Sequence, residues 1–112
     1  LYPYVEFSNE LTVTYSQIMK DKTVVEVKIL VYFEQPTDYG FKEARYELPS
    51  YRKIYNYDFT ATETAENLDF LKRNEPLIWK CAEEDGREKY KRKYFNSEYE
   101  FVMHMEYELP CT

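Results

Sequence analysis

The sequence has little glycine, cysteine and histidine, and each shortage excludes a class of functional site. Gly40 and Gly86 are its two glycines, so a glycine-rich loop for phosphates or dinucleotides cannot be built. Cys81 and Cys111 lie far apart and His104 is the single histidine, so no zinc-binding set can be assembled. No uncharged apolar run approaches the ~20 residues that span a bilayer. We therefore expect no metal, no cofactor and no membrane contact.

The remaining composition is typical of one folded domain over residues 1–112. Hydrophobic residues make up 44% of the 112 residues and aromatic residues 19%, which argues against disorder. A chain of this length buries enough surface for one core without disulfides or metals. The N-terminal segment LYPYVEF lacks the charged and apolar regions of a secretion signal, so we expect a cytoplasmic protein with free thiols.

Acidic residues outnumber basic residues by 21 to 15, which gives a net charge of −6. This balance opposes non-specific binding to nucleic acids, because that binding is driven by positive charge. Two interpretations of the charge stay open. It can simply keep a small domain in solution, or it can speed association with a basic partner.

Alternation of apolar and polar residues with a period of two predicts several β-strands. The first is expected over residues 5–15. The second, over residues 23–33, is apolar on both faces in part and is expected at the centre of the sheet. Residues 34–40 are expected to form a connection, and residues 41–48 a third strand. Residues 51–59 predict an irregular edge strand or an extended loop with four aromatic side chains projecting together, namely Tyr51, Tyr55, Tyr57 and Phe59.

Helical periodicity follows these strands. Thr60 and Glu63 have the spacing of a capping box, in which each side chain satisfies a backbone N–H of the other residue. A second helix start is expected at 74–76 and a stop at Gly86, which predicts two short helices or one helix kinked near Asn74. Residues 98–109 alternate again and predict a final strand. The expected fold is α+β, an antiparallel sheet of four to five strands with one or two helices packed on one face, in the order β-β-β-(β)-α-α-β.

Two side chains are candidates for catalysis, and a structural role is favoured for both. His104 lies beside Glu106 on one face of the last predicted strand, where a solvent-facing histidine is the commoner case. Cys81 lies on the apolar stripe of a predicted helix, where burial opposes the activation that a nucleophile needs. We therefore assign no catalytic residue.

Tyrosine and glutamate supply the predicted partner-binding residues. Thirteen tyrosines are present, and tyrosine gives a large contact area at low cost in side-chain entropy. The alternative is that their rings close the edges of a small core. Four glutamates share one face of the last predicted strand, where they repel one another unless the face is wet or opposed by basic side chains. The predicted partner-binding residues are Glu98, Glu100, Glu106, Glu108, Tyr51, Tyr55 and Tyr57.

A basic run interleaved with tyrosine predicts an alternative function. Single-stranded nucleic-acid binding uses positive side chains for phosphates and aromatic rings for bases. The rival interpretation, which is favoured here, is that the run neutralises the glutamates that follow it. The alternative nucleic-acid-binding residues are Arg87, Lys89, Tyr90, Lys91, Arg92, Lys93 and Tyr94.

These features favour a non-catalytic acidic protein that binds another protein with a basic surface. One form of this function is a small inhibitor, of the anti-defence, antitoxin or immunity type, that blocks a nucleic-acid-binding surface of its partner. That form is an analogy with a class of proteins, not a reading of a motif. A single-stranded nucleic-acid-binding module is the alternative function, and a small enzyme with an unrecognised site is the third hypothesis.

Overall fold

A computed structural model describes the backbone of residues 1–20 and 26–94, and the side chains of residues 1–20 and 26–86. Within this part of the chain, six strands form an antiparallel sheet and one helix follows them, so the predicted α+β class is confirmed. The elements are β1 (Tyr2–Glu6), β2 (Thr12–Tyr15), β3 (Met19–Lys20), β4 (Val27–Thr37), β5 (Gly40–Leu48), β6 (Arg52–Tyr57) and α1 (Ala61–Tyr94). The final predicted strand, which contains His104, and the cysteine at Cys111 lie outside the described residues.

The sheet has the order β1-β2-β4-β5-β6, with the short β3 also paired to β4. Strand β4 therefore lies at the centre, as its two partly apolar faces predict. Alternate residues of β2, β4 and β5 face α1 and form the inner face of the sheet. The buried core consists of Val13, Tyr15, Ile29, Val31, Phe33, Ala44, Tyr46, Leu48 and Phe59, together with Leu71, Ile78 and Ala82 from α1.

The single strand predicted over residues 5–15 is wrong, because this segment forms the β1–β2 hairpin. Its turn is closed by two backbone hydrogen bonds of 2.9 Å, from Phe7 N to Leu11 O and from Glu10 N to Phe7 O. Asn9 accepts a further bond from Leu11 N, and Glu10 has a φ of 69°. Apolar residues on both sides of the turn keep the same parity, which is why the alternation alone did not show the break.

The connection predicted over residues 34–40 is also wrong. Strand β4 continues through Pro36 to Thr37, and Thr37 pairs directly with Gly40. The turn therefore consists of Asp38 and Tyr39 only. Gly40 has a φ of 154°, which a residue without a side chain adopts at little cost.

The helix begins at the predicted capping box and runs further than predicted. Thr60 N donates to Glu63 Oε1 at 3.0 Å, and Glu63 N donates to Thr60 Oγ1 at 3.1 Å, so the capping box is confirmed. Of the two predicted alternatives, one helix that continues past Asn74 is confirmed and two short helices are wrong, since α1 is a single element. The stop predicted at Gly86 is also wrong, because α1 runs through Tyr94. Lysine and arginine, which dominate residues 87–93, are good helix formers and suit the negative end of the helix dipole.

Tyrosine hydroxyl groups of the sheet hold α1 on both sides of Pro76. Tyr4 donates to Asn74 Oδ1 at 2.8 Å, Tyr15 donates to Asp85, and Tyr51 donates to Glu75. These tertiary contacts help α1 to continue past a proline, which has no N–H to donate within the helix. Part of the unusual tyrosine content thus attaches the helix to the sheet.

The hydrogen bond from Tyr51 to Glu75 predicts a loss of stability at high pH. Burial and the Glu75 carboxylate raise the pKa of Tyr51 to about 12, above its ordinary value of about 10. Between these pH values the unfolded chain releases a proton that the folded protein keeps, so the free energy of unfolding falls as pH rises. We expect Tyr51→Phe to be less stable at pH 8 and to have a shallower decline from pH 10 to 12, measured by urea unfolding. Tyr57→Phe, at an exposed position, is the control and should keep the wild-type slope; an unchanged slope in Tyr51→Phe would contradict the prediction.

Candidate functional site

A row of acidic residues crosses the outer face of the sheet, the face turned away from α1. Glu6 of β1 pairs with Thr12, Thr12 pairs with Glu34 of β4, and Glu34 pairs with Glu43 of β5. Glu43 in turn pairs with Tyr57 of β6. We call Glu6, Glu34 and Glu43 the acidic row. The antiparallel register places Glu34 and Glu43 side by side and puts Glu6 in the same row, separated from Glu34 by Thr12, although the three glutamates are distant in the sequence.

The acidic row is not neutralised within the described side chains. Glu6, Glu34 and Glu43 take part in none of the ion pairs formed by residues 1–20 and 26–86. Glu34 and Glu43 lie directly opposite each other, an arrangement in which like charges destabilise a sheet. A cation that binds between them would relieve this repulsion, so the charge of the acidic row is complementary to a positively charged group.

The next cross-strand row consists of Arg45 between two tyrosines. Arg45 pairs in register with Tyr32 of β4 and Tyr55 of β6. Its guanidinium carbon lies 4.3 Å from the centre of the Tyr32 ring and 5.0 Å from the centre of the Tyr55 ring. The two tyrosine rings stabilise the half-buried guanidinium group of Arg45 by cation–π interactions. Arg45 forms no ion pair with the described residues.

A different glutamate on the same face is fully compensated. Glu47 accepts hydrogen bonds from Arg52 at 3.1 Å and Ser50 at 2.9 Å, and lies 3.7 Å from Lys28. The bonds from Arg52 and Ser50 hold the pKa of Glu47 below its ordinary value. Among the described side chains, the ion pairs of the outer face therefore lie at the Glu47 end, and Arg45, in the row next to the acidic row, contacts tyrosine rings and no carboxylate.

Exposed aromatic and apolar side chains border the acidic row. Tyr57 is 63% exposed and Phe41 is 51% exposed. An open depression of about 270 Å³ lies at the row, lined by Glu6, Glu10, Thr12, Glu34, Pro36 and Phe41. Carboxylates next to rings can bind the charged end and the apolar stem of a lysine or arginine side chain together.

The four aromatic residues predicted to project together from residues 51–59 are divided between the two faces of the sheet. In β6, Tyr55 pairs with Arg45 while Lys53 pairs with Tyr46, so Ile54 is an extra residue that reverses the alternation. Tyr55 and Tyr57 lie on the outer face, and their role in binding a partner stays a prediction. Tyr51 and Phe59 instead pack against the core with α1.

The other predicted site residues fall outside the described side chains. Glu98, Glu100, Glu106 and Glu108 belong to the segment after residue 94, so their place in the structure stays a prediction. The alternative nucleic-acid-binding run, residues 87–94, has its backbone in the last turns of α1. The prediction that its side chains form a binding patch or neutralise the later glutamates also remains open.

The acidic row was missed because its members carry no local motif. Glu6 alternates with Val5 and Phe7, which predicts a polar strand face, but Glu43 follows Lys42 in a charged segment and Glu34 lies in the predicted connection over residues 34–40. Only the strand register shows that the three carboxylates share one row. The extension of β4 to Thr37 is therefore the feature that reveals the site.

The thiol of Cys81 is half-buried and packs beside the core. Burial, with the nearby Glu84 and Asp85 carboxylates, raises the pKa of this thiol. A nucleophilic cysteine needs the opposite shift of its pKa.

The described side chains contain no cluster of His, Cys, Asp and Glu suited to a metal ion. No helix among the described residues is long and apolar enough to cross a membrane.

Comparisons of the chain with models of protein families, with curated proteins and with solved structures find no match. The geometry and charge of the outer face are therefore the basis for assigning a function.

Proposed function

We propose that the protein is a non-catalytic binding protein whose outer sheet face docks on a basic surface of another protein. The acidic row carries this proposal, because its carboxylates lie together without neutralising partners among the described side chains. Charge complementarity of this kind speeds association and selects among partners. The bordering rings of Phe41 and Tyr57 add apolar contact area at the same place.

An inhibitor is the sharpest form of this function. A flat face with carboxylates in a row and rings at its border matches the chemistry of a groove that binds nucleic acid, in which basic side chains meet phosphates and bases. Such a protein would compete with nucleic acid for its partner. Products of the neighbouring genes are the first partners to test, since small inhibitors are usually encoded near the proteins that they restrain.

The proposal is tested with a labelled ten-residue peptide of alternating arginine and serine. We expect salt-sensitive binding that Glu34→Gln/Glu43→Gln weakens about five- to tenfold, since each lost charge pair contributes up to ~1 kcal/mol. The melting temperature of this variant should stay the same or rise slightly, because repulsion across the strands is relieved. Fluorescence anisotropy at low and moderate salt measures the binding.

Glu83→Gln/Glu84→Gln is the matched control, because it removes the same charge from two exposed residues of α1. It should change peptide binding less than about twofold. Equal loss in both variants would show that only net charge matters, and absence of binding to the wild type would refute the proposal.

Single-stranded nucleic-acid binding is the competing function. The observation in its favour is that α1 extends through Tyr94, which places the basic run in a regular helix. A labelled single-stranded oligonucleotide in the same assay separates the two functions. Salt-sensitive binding that is abolished by Lys89→Ala/Lys91→Ala/Lys93→Ala would replace the protein-binding proposal.

A further inference from the structure

A groove lies between the β1–β2 turn and the first half of α1. Its volume is about 320 Å³, near the lower end of the ~300–1,000 Å³ range of small-molecule pockets. Apart from the polar residues of the turn, it is lined by Phe7, Leu11, Phe33, Glu66, Asn67 and Phe70. We call it the turn–helix groove. Its size suits a ligand with a single aromatic ring.

The aromatic walls of the groove are held in place by one another. Phe70 makes edge-to-face contacts with Phe7, Phe33 and Tyr4, with ring centres 5.5, 6.1 and 6.1 Å apart. The turn that carries Phe7 is closed by its own backbone hydrogen bonds. The groove is therefore preformed, and a ligand ring can enter without reordering the walls.

A buried amide without a partner lies in this otherwise apolar wall. Asn67 is 4% exposed, and its Nδ2 forms no hydrogen bond with the described residues. The residue occupies the stripe of α1 that faces the core, one turn before Leu71, where an apolar side chain is expected. An unsatisfied buried amide is costly to the fold, so its place in the groove wall points to a ligand that accepts its hydrogen bond.

The rim of the groove is negatively charged. Glu66 is exposed, lines the groove next to Asn67, and takes part in no ion pair with the described residues. A carboxylate at the mouth of an apolar groove favours a ligand whose polar end is positive. The Asn67 amide thus favours a ligand with a hydrogen-bond acceptor inside the groove, and the Glu66 carboxylate favours a positive charge at its edge.

We propose that the turn–helix groove binds a one-ring aromatic amine that also carries a carbonyl group. The ring packs against Phe7 and Phe70, and the ammonium group lies beside Glu66. The Asn67 side chain, whose Nδ2 is buried behind the wall in the free protein, turns towards the groove and donates a hydrogen bond to the carbonyl oxygen. This is the chemistry of an aromatic amino-acid amide or of a peptide that begins with an aromatic residue. The turn–helix groove is lined by residues other than those of the acidic row. Neither site needs the other to function.

Phenylalaninamide is the probe, titrated into the full-length protein and followed by NMR shifts of backbone amides. We expect saturable shifts at residues 7–11 and 66–70. Asn67→Leu should weaken binding at least tenfold, and should raise the melting temperature because the unsatisfied amide is removed. Phe-Ala-Ala that binds as tightly as phenylalaninamide would indicate a peptide source, and weaker binding a free small molecule. Acetylating its N-terminus removes the ammonium group and should weaken binding.

Glu66→Gln is the second variant, and it changes an exposed residue without altering its size. It should weaken binding of phenylalaninamide several-fold but leave binding of the uncharged 3-phenylpropanamide unchanged. Glu83→Gln, at an exposed site elsewhere on α1, should affect neither ligand. Absence of saturable shifts in the groove, or equal binding by wild type and Asn67→Leu, would overturn the proposal.

Discussion

Ile78→Ala is expected to lower the free energy of unfolding by about 2–5 kcal/mol, whereas Leu77→Ala should lower it by less than about 1 kcal/mol. Ile78 is 0% exposed in the core, and its neighbour Leu77 is 55% exposed. Truncating the buried side chain leaves a cavity between α1 and the sheet, while truncating the exposed one leaves none. Urea unfolding at neutral pH measures both changes.

This comparison tests the course of α1 past Pro76. The sequence pattern places Leu77 and Ile78 together on an apolar stripe, and only a continuous helix docked as described separates them so strongly. Similar losses in the two variants would mean that the segment after Pro76 meets the sheet with a different face.

Tyr46→Phe is expected to raise the free energy of unfolding by about 1–3 kcal/mol, an unusual sign for a change in the core. Tyr46 is 0% exposed and its hydroxyl has no hydrogen-bond partner among the described residues. Its ring packs edge-to-face against Phe33 at 5.6 Å, a contact that phenylalanine retains. The variant therefore removes a buried unsatisfied group and leaves the ring packing in place.

Tyr15→Phe is the matched comparison and should have the opposite sign. Tyr15 is also buried, at 4% exposure, but its hydroxyl donates to Asp85 of α1. Losing that donor leaves the carboxylate of Asp85 without its partner, so the variant should be less stable than wild type. Thermal and urea unfolding of both variants and the wild type measure the two changes in stability. Destabilisation by Tyr46→Phe would indicate that its hydroxyl does have a partner.

Elements with a local signal were predictable from the sequence. The alternation of apolar and polar residues within β4 and β5 indicates which side chains pack in the core. The capping box at Thr60 and Glu63 is formed by residues three apart. Both patterns depend on neighbours in the chain. Their physical cause is therefore fully present in a short segment.

Features that depend on distant contacts were not predictable in this way. The extra residue at Ile54 moves Tyr55 and Tyr57 to the outer face, and no pattern within β6 marks where the insertion lies. Asn67 lies on the buried stripe although its side chain is polar. The acidic row needs the register of four strands. Each of these features is determined by pairing or docking partners far away in the sequence.

Within the described part of the chain, both outer strands of the sheet carry irregularities that discourage self-association. Strand β1 has a shift in register between Pro3 and Val5, and proline offers no N–H to an added strand. Strand β6 contains the extra residue at Ile54 and is bracketed by Tyr51 and Asp58, both with positive φ. Twisted, interrupted margins are poor templates for edge-to-edge growth into fibrils. The backbone edges of the described sheet are thus poor sites for recruiting further copies of the chain.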